Sequence, residues 1–108
     1  MSERLPTHLV VGALLRRIND AGGMAVVRAR GDAQGGTVLV LIDAAGGTRA
    51  LERGVGADGR PALIEARQAD AAEPIDGYWR RRRQRDPDLW VVELEGPDAE
   101  AVAAELIG

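Results

Sequence analysis

The run Thr37-Val38-Leu39-Val40-Leu41-Ile42 limits what this chain can fold into more than any other segment. Successive side chains of a strand point to opposite faces of a sheet, so a half-solvated strand alternates apolar and polar residues. This run is apolar in both registers. It predicts a central strand covered on both sides.

The other strands read less strongly. Residues 25–30 alternate enough for a strand, and 31–36 form a turn-rich loop. Ala44-Ala45-Gly46-Gly47 reads as a hairpin loop into a strand near 48–53. Residues 54–61 are irregular, and a short strand follows at 63–67. The clearest alternation lies at 89–95, where Trp90, Val92 and Leu94 face one way and Leu89, Val91, Glu93 and Glu95 the other.

Three helices complete the pattern. Thr7 after Pro6 is placed to cap a helix over 8–20 that Gly22-Gly23 ends. Its apolar residues cover well over half the circumference, which predicts a largely buried helix with Arg17 snorkelling out of the apolar arc. Pro74 suits the first turn of a second helix, which runs to Arg85 because Pro87 pushes Asp86 away from helical dihedrals. Gly96-Pro97-Asp98 opens a short last helix to Leu106, too short to persist without docking. Strands joined by short links favour antiparallel pairing. The expectation is an α+β fold in one domain over 1–108: a mainly antiparallel sheet of four to five strands, two main helices and a short C-terminal helix.

Composition narrows function mostly by exclusion. Apolar residues make up 45% and charged residues 29% of the 108, values of a globular chain. There are 17 acids against 14 bases, a net charge of −3, whereas a dedicated nucleic-acid binder carries a basic excess. All the bases are Arg. Without Cys there is no disulfide, thiolate nucleophile or zinc–thiolate site. The lead Met1-Ser2-Glu3-Arg4 runs into an apolar stretch over 9–15, far shorter than the ~20 residues of a membrane span. A cytoplasmic protein without membrane attachment is expected.

The motif matches fail on context. Gly54-Val55-Gly56-Ala57-Asp58-Gly59 has the spacing of a dinucleotide fingerprint, but Arg60-Pro61-Ala62 follows where a helix should start. Gly31-Asp32-Ala33-Gln34-Gly35-Gly36 lacks the Lys-Ser/Thr ending of a phosphate loop and reads as a strand connection. His8, the one histidine, faces solvent in the polar wedge of the first helix, with no nucleophile among Ser2, Thr7, Thr37, Thr48 and Tyr78 in a recognisable motif. Glu93 and Glu95, with Asp86 and Asp88 close in sequence, read as a salt-bridging edge beside the arginine helix. No catalytic, cofactor-binding or metal-ligating residue is assigned.

What remains is the run Tyr78-Trp79-Arg80-Arg81-Arg82-Arg83-Gln84-Arg85, which holds five of the fourteen cations. At ~100° per residue the four consecutive arginines ring the helix. Arg80 and Arg81 face solvent, with an Asp76–Arg80 contact one turn apart. Arg83 and Arg85 flank the apolar stripe of Ile75, Tyr78 and Trp79. Arg82 falls in the middle of that stripe, so it is expected to be substantially buried and paired with an acid between Asp86 and Glu95.

Leu-Val-Val-Gly-Ala-Leu-Leu-Arg-Arg at 9–17, Arg-Gly-Asp-Ala-Gln-Gly-Gly at 30–36 and Arg-Arg-Gln-Arg-Asp-Pro-Asp-Leu-Trp-Val-Val-Glu-Leu at 82–94 together resemble a bacterial family of short proteins, domain-of-unknown-function family 1491. The resemblance covers most of 5–95 and leaves the 54–61 loop and the final helix outside. It implies a fold and a compartment but no catalytic residues.

The leading functional expectation is a non-enzymatic accessory or protein-interaction domain. An unknown protein partner or self-association would use Arg80, Arg81, Arg83 and Arg85 or the sheet edges. Weak nucleic-acid binding through the exposed arginines comes second. A small-anion binder or enzyme using Arg16, Arg82 or His8 comes third. No cofactor is expected.

Overall fold

A computed structural model describes residues 5–69 and 71–108. The Met1–Arg4 lead and the Ser2 hydroxyl therefore lie outside the described residues. The elements run α1 (Thr7–Asp20), β1 (Met24–Ala29), β2 (Val38–Ala44), β3 (Gly47–Val55), β4 (Pro61–Arg67), α2 (Ile75–Arg85), β5 (Trp90–Glu95) and α3 (Ala99–Ile107). The five strands form one sheet in the order β1-β5-β2-β3-β4.

The apolar run is the centre of that sheet. Val38, Leu39, Val40, Leu41 and Ile42 are all buried. Val38, Val40 and Ile42 join Leu51, Trp90, Val92 and Leu94 beneath α1 and α3, while Leu39 and Leu41 join Ala50 and Val91 beneath α2, against its Trp79. Helices on both faces require β2 to be apolar on both faces.

Pairing is antiparallel for β1–β5, β2–β3 and β3–β4. The exception is β5, which returns through α2 to lie parallel to β2, with Val40 opposite Val92. Short links predict only hairpins, so this crossover is invisible in them; a parallel neighbour needs a helical connection, and α2 supplies it.

Local expectations are corrected at three places. Thr7 does not cap α1; Pro6 occupies that position, and the Thr7 hydroxyl donates instead to the Gly36 carbonyl at 3.0 Å. Only Val11, Leu14 and Ile18 of α1 are buried, and Leu9 is 48% exposed. The helix lies on the outside of its layer beside α3, so one stripe is covered, and Arg17 reaches Glu105 of α3 at 2.9 Å. The 54–61 segment is less irregular than expected, since β3 extends to Val55 and β4 begins at Pro61 around a tight turn.

Arg49 of β3 binds Glu65 of β4 at 2.7 Å and Glu100 of α3 at 2.6 Å, tying α3 to the sheet. Those carboxylates, Glu100 first, hold its guanidinium charged well above the ordinary range.

Candidate functional site

The arginine helix divides into an inward and an outward side. Trp79 is buried, with Tyr78, Ile75, Arg82 and Arg83 half-covered. Gly77, Arg80, Arg81, Gln84 and Arg85 are exposed, at the i, i+3, i+4, i+7, i+8 spacing of one stripe.

Each inward arginine is engaged internally. Arg82 makes two parallel bonds to the Glu52 carboxylate, at 2.8 and 2.9 Å, and a third to the Tyr78 hydroxyl at 3.2 Å. With 27% and 21% of the side chains exposed, this is a half-buried, bidentate pair. The partner is Glu52 of β3, not an acid between Asp86 and Glu95, because the helix crosses above β3. Glu52, more than Tyr78, raises the Arg82 pKa.

Arg83 goes to carbonyls: Leu89 at 3.0 Å, Pro87 at 2.9 Å and Arg30 at 3.0 Å. It therefore pins the Asp86-Pro87-Asp88 turn to the end of β1 and is not a free cation. The 31–36 loop packs against the same turn. Asp32 N–H donates to the Asp88 carbonyl at 3.0 Å, and a methyl at Gly31 or Gly36 would overlap that carbonyl. The glycines are needed for close backbone approach, not for phosphate. Trp90 closes the joint by donating from Nε1 to the Asp32 carbonyl at 2.7 Å.

His8 belongs to this joint too. It is exposed, with Nδ1 3.0 Å from the Ala33 carbonyl, which the His8 N–H also reaches at 2.9 Å. Arg16 is exposed on α1, away from Arg82.

On the outward side, Arg80 lies over the Trp79 ring at 5.0 Å from its centroid. The expected Asp76–Arg80 contact is absent from the ion pairs of the described residues, because Asp76 accepts from Trp79 Nε1 at 3.1 Å and lies 3.8 Å from Arg28. Arg81 pairs with Glu73 at 2.6 Å, which lowers the Glu73 pKa and raises that of Arg81. Arg85, placed by angle beside the apolar stripe, joins the exposed stripe and has no ion-pair partner among the described residues.

Two features had no clear sequence signal. Arg67 is the buried charged residue of the core, and it donates to the carbonyls of Thr48, Gln68, Ala71 and Glu73, fixing the lead into α2. Beside α2, Glu93 meets Asp43 of β2. The shared hydrogen bond with Asp43, then burial, raises the Glu93 pKa, while Arg28 at 2.9 Å opposes the shift. Thr48 donates to Asp43 at 2.8 Å. No group of three or more His, Asp or Glu among the described residues is placed to hold a metal.

On the opposite face, a cleft of about 710 Å³ opens where the first turn of α1 meets the last turn of α3. Its walls mix apolar and polar surface, and among the described lining residues Arg53 of β3 is the one charged side chain.

Residues 5–104 match the family described as protein of unknown function DUF1491. The chain belongs to that family. The match includes the 54–61 turn and most of α3, beyond the blocks that carry the resemblance in the sequence.

A crystal structure of a DUF1491 family protein from Caulobacter crescentus CB15 is similar at 34% identity and TM-score 0.76, over 92% of this chain and 94% of that one. An NMR structure of a DUF1491 family protein from the same organism gives 33%, 0.73 and 94% of each chain. The solution structure of a protein from A. tumefaciens gives 27%, 0.70 and 88% of each. No curated protein matches. The family and its solved members fix the α+β fold and assign no activity. No helix among the described residues is long and apolar enough to cross a membrane.

Proposed function

We propose that this DUF1491 protein is a non-catalytic binding module of the bacterial cytoplasm that presents the outward stripe of α2 to an acidic protein surface. One observation carries the reading: Arg80, Arg81 and Arg85 share a single exposed stripe, while Arg82 and Arg83 of the same helix are spent on internal contacts. The stripe is locally basic on a chain of net charge −3, so it would orient the molecule toward a negative partner. Gly77 leaves its start flat. Absence of Cys and the bacterial sources of the similar structures support the compartment.

The test is quantitative affinity capture from the native cell with the full chain, its R80E/R85E variant and an R16E/R60E control of equal charge change. A defined set of proteins should be captured by the wild type and the control, and depleted at least about tenfold by R80E/R85E, because attraction becomes repulsion at two contacts. Equal depletion by both variants, or by neither, overturns the reading. Capture of nucleic acid in place of protein, with steep salt dependence, would establish the phosphate-binding reading instead.

A further inference from the structure

We infer that the cleft between the first turn of α1 and the last turn of α3 is a site for an aliphatic carboxylate, with Arg53 as its anion contact. The cleft lies on the sheet face opposite α2 and is independent of the arginine stripe.

Its size and lining suit a small amphiphile. At about 710 Å³ it falls within the roughly 300–1,000 Å³ of ligand sites, which are apolar with a few polar groups that fix orientation. Val10, Val38, Pro61, Leu106 and Ile107 supply the apolar walls. At the mouth stand Leu5 and Val55, 66% and 70% exposed, the two most solvated large apolar residues of the described chain. A bound alkyl chain would cover both.

Charge selects the head group. Arg53 is half-buried on the same strand face as Leu51, yet makes no ion pair or side-chain hydrogen bond among the described residues. Two residues before Leu51, Arg49 has two carboxylates, and Arg67 and Arg82 are bonded as well. A partly desolvated guanidinium seeks an acceptor, and the fork of one guanidinium matches one carboxylate. A phosphate dianion calls for several cations, whereas the described lining residues of this cleft offer one, Arg53, with the Thr7 and Thr37 hydroxyls and the Gln34 amide beside apolar side chains.

The experiment is an amide NMR titration of the full chain with decanoate below its micelle concentration, with decanol and with inorganic phosphate. Decanoate is expected to shift the amides of Val10, Val38, Val55 and Leu106 saturably. Decanol should bind at least about tenfold more weakly, the factor for losing one charge-assisted hydrogen bond, and phosphate should leave the cleft unchanged. R53Q should bring decanoate down to the affinity of decanol, and V10W should block both by filling the cleft. R80E/R85E should change none of this, which separates the site from the α2 surface.

Decanoate shifts that avoid the cleft, equal affinity for decanoate and decanol in the wild type, or phosphate binding as tight as decanoate would each overturn the assignment. The wild-type comparison of decanoate with decanol decides the matter even if R53Q does not fold.

Discussion

The two faces of the sheet are built on different chemistry. Beneath α1 and α3 the buried contacts are hydrocarbon and one indole, Val38, Val40, Ile42, Leu51, Trp90, Val92 and Leu94 against Val11, Leu14 and Ile18, and the directed bonds to the sheet are those of Arg49 with Glu65 and Glu100 at the margin. Beneath α2 a smaller apolar patch is ringed by bonded charges: Arg82–Glu52, Arg83 on three carbonyls, Arg67 on four, and Arg28–Glu93–Asp43. The first face draws stability from burial, which is roughly proportional to apolar area and indifferent to direction. The second draws position from directed bonds. It fixes where α2 lies, and thereby which three arginines are left outward.

The largest effect should come from the apolar face. Leu14 and Leu94 are fully buried, so Leu94→Ala should destabilise by about 2–5 kcal/mol in urea unfolding, through lost transfer energy and a residual cavity. A cost below about 1 kcal/mol would show that this face is looser than the α2 face and break the contrast.

An intermediate effect is expected at the Arg82–Glu52 pair. Glu52→Leu leaves a half-buried guanidinium with only Tyr78, at a cost of about 1–3 kcal/mol. Adding Arg82→Leu should restore most of it, because an apolar pair of similar volume replaces an ion pair at little net change. If Glu52→Leu costs no more than an exposed Arg80→Ala, the inward and outward arginines are energetically alike.

The smallest effect concerns pH. Because the native state holds the Glu93 proton more tightly than the unfolded chain, it binds more protons between the ordinary carboxylate pKa and the raised one. Stability therefore falls as pH rises through that window, and the penalty is absent below it. Asp43→Asn lets an amide donate to the ionised Glu93 and should flatten this slope, with a gain of about 0.5–1 kcal/mol at pH 7 and none in acid. Unfolding curves across pH check it, and an unchanged slope would remove the carboxyl pair as its cause.

How much was legible in the sequence follows from how local each property is. The bounds of α2 are set by Pro74 and Pro87, and its angular map placed Arg82 inward and Arg80 and Arg81 outward. Alternation in β5 separated Trp90, Val92 and Leu94 from Leu89 and Val91 correctly. Illegible was everything that needed a partner from elsewhere. Glu52 lies thirty residues from Arg82. Arg83 could be sorted from Arg85 only by the Pro87 and Leu89 carbonyls it reaches, and Arg67 looked like the end of a short strand.

The sequence by itself determined the secondary structure, the two-sided burial of β2 and the inward aim of Arg82, because periodicity and proline placement act within a few residues. Tertiary structure alone decided that β5 lies parallel to β2, that Glu52 holds Arg82, that Arg85 joins Arg80 and Arg81 in solvent while Arg83 does not, and that Arg53 lines a cleft. Those outcomes depend on which strand lies beneath which helix, a relation set by the packing of whole elements and carried by no short stretch of chain.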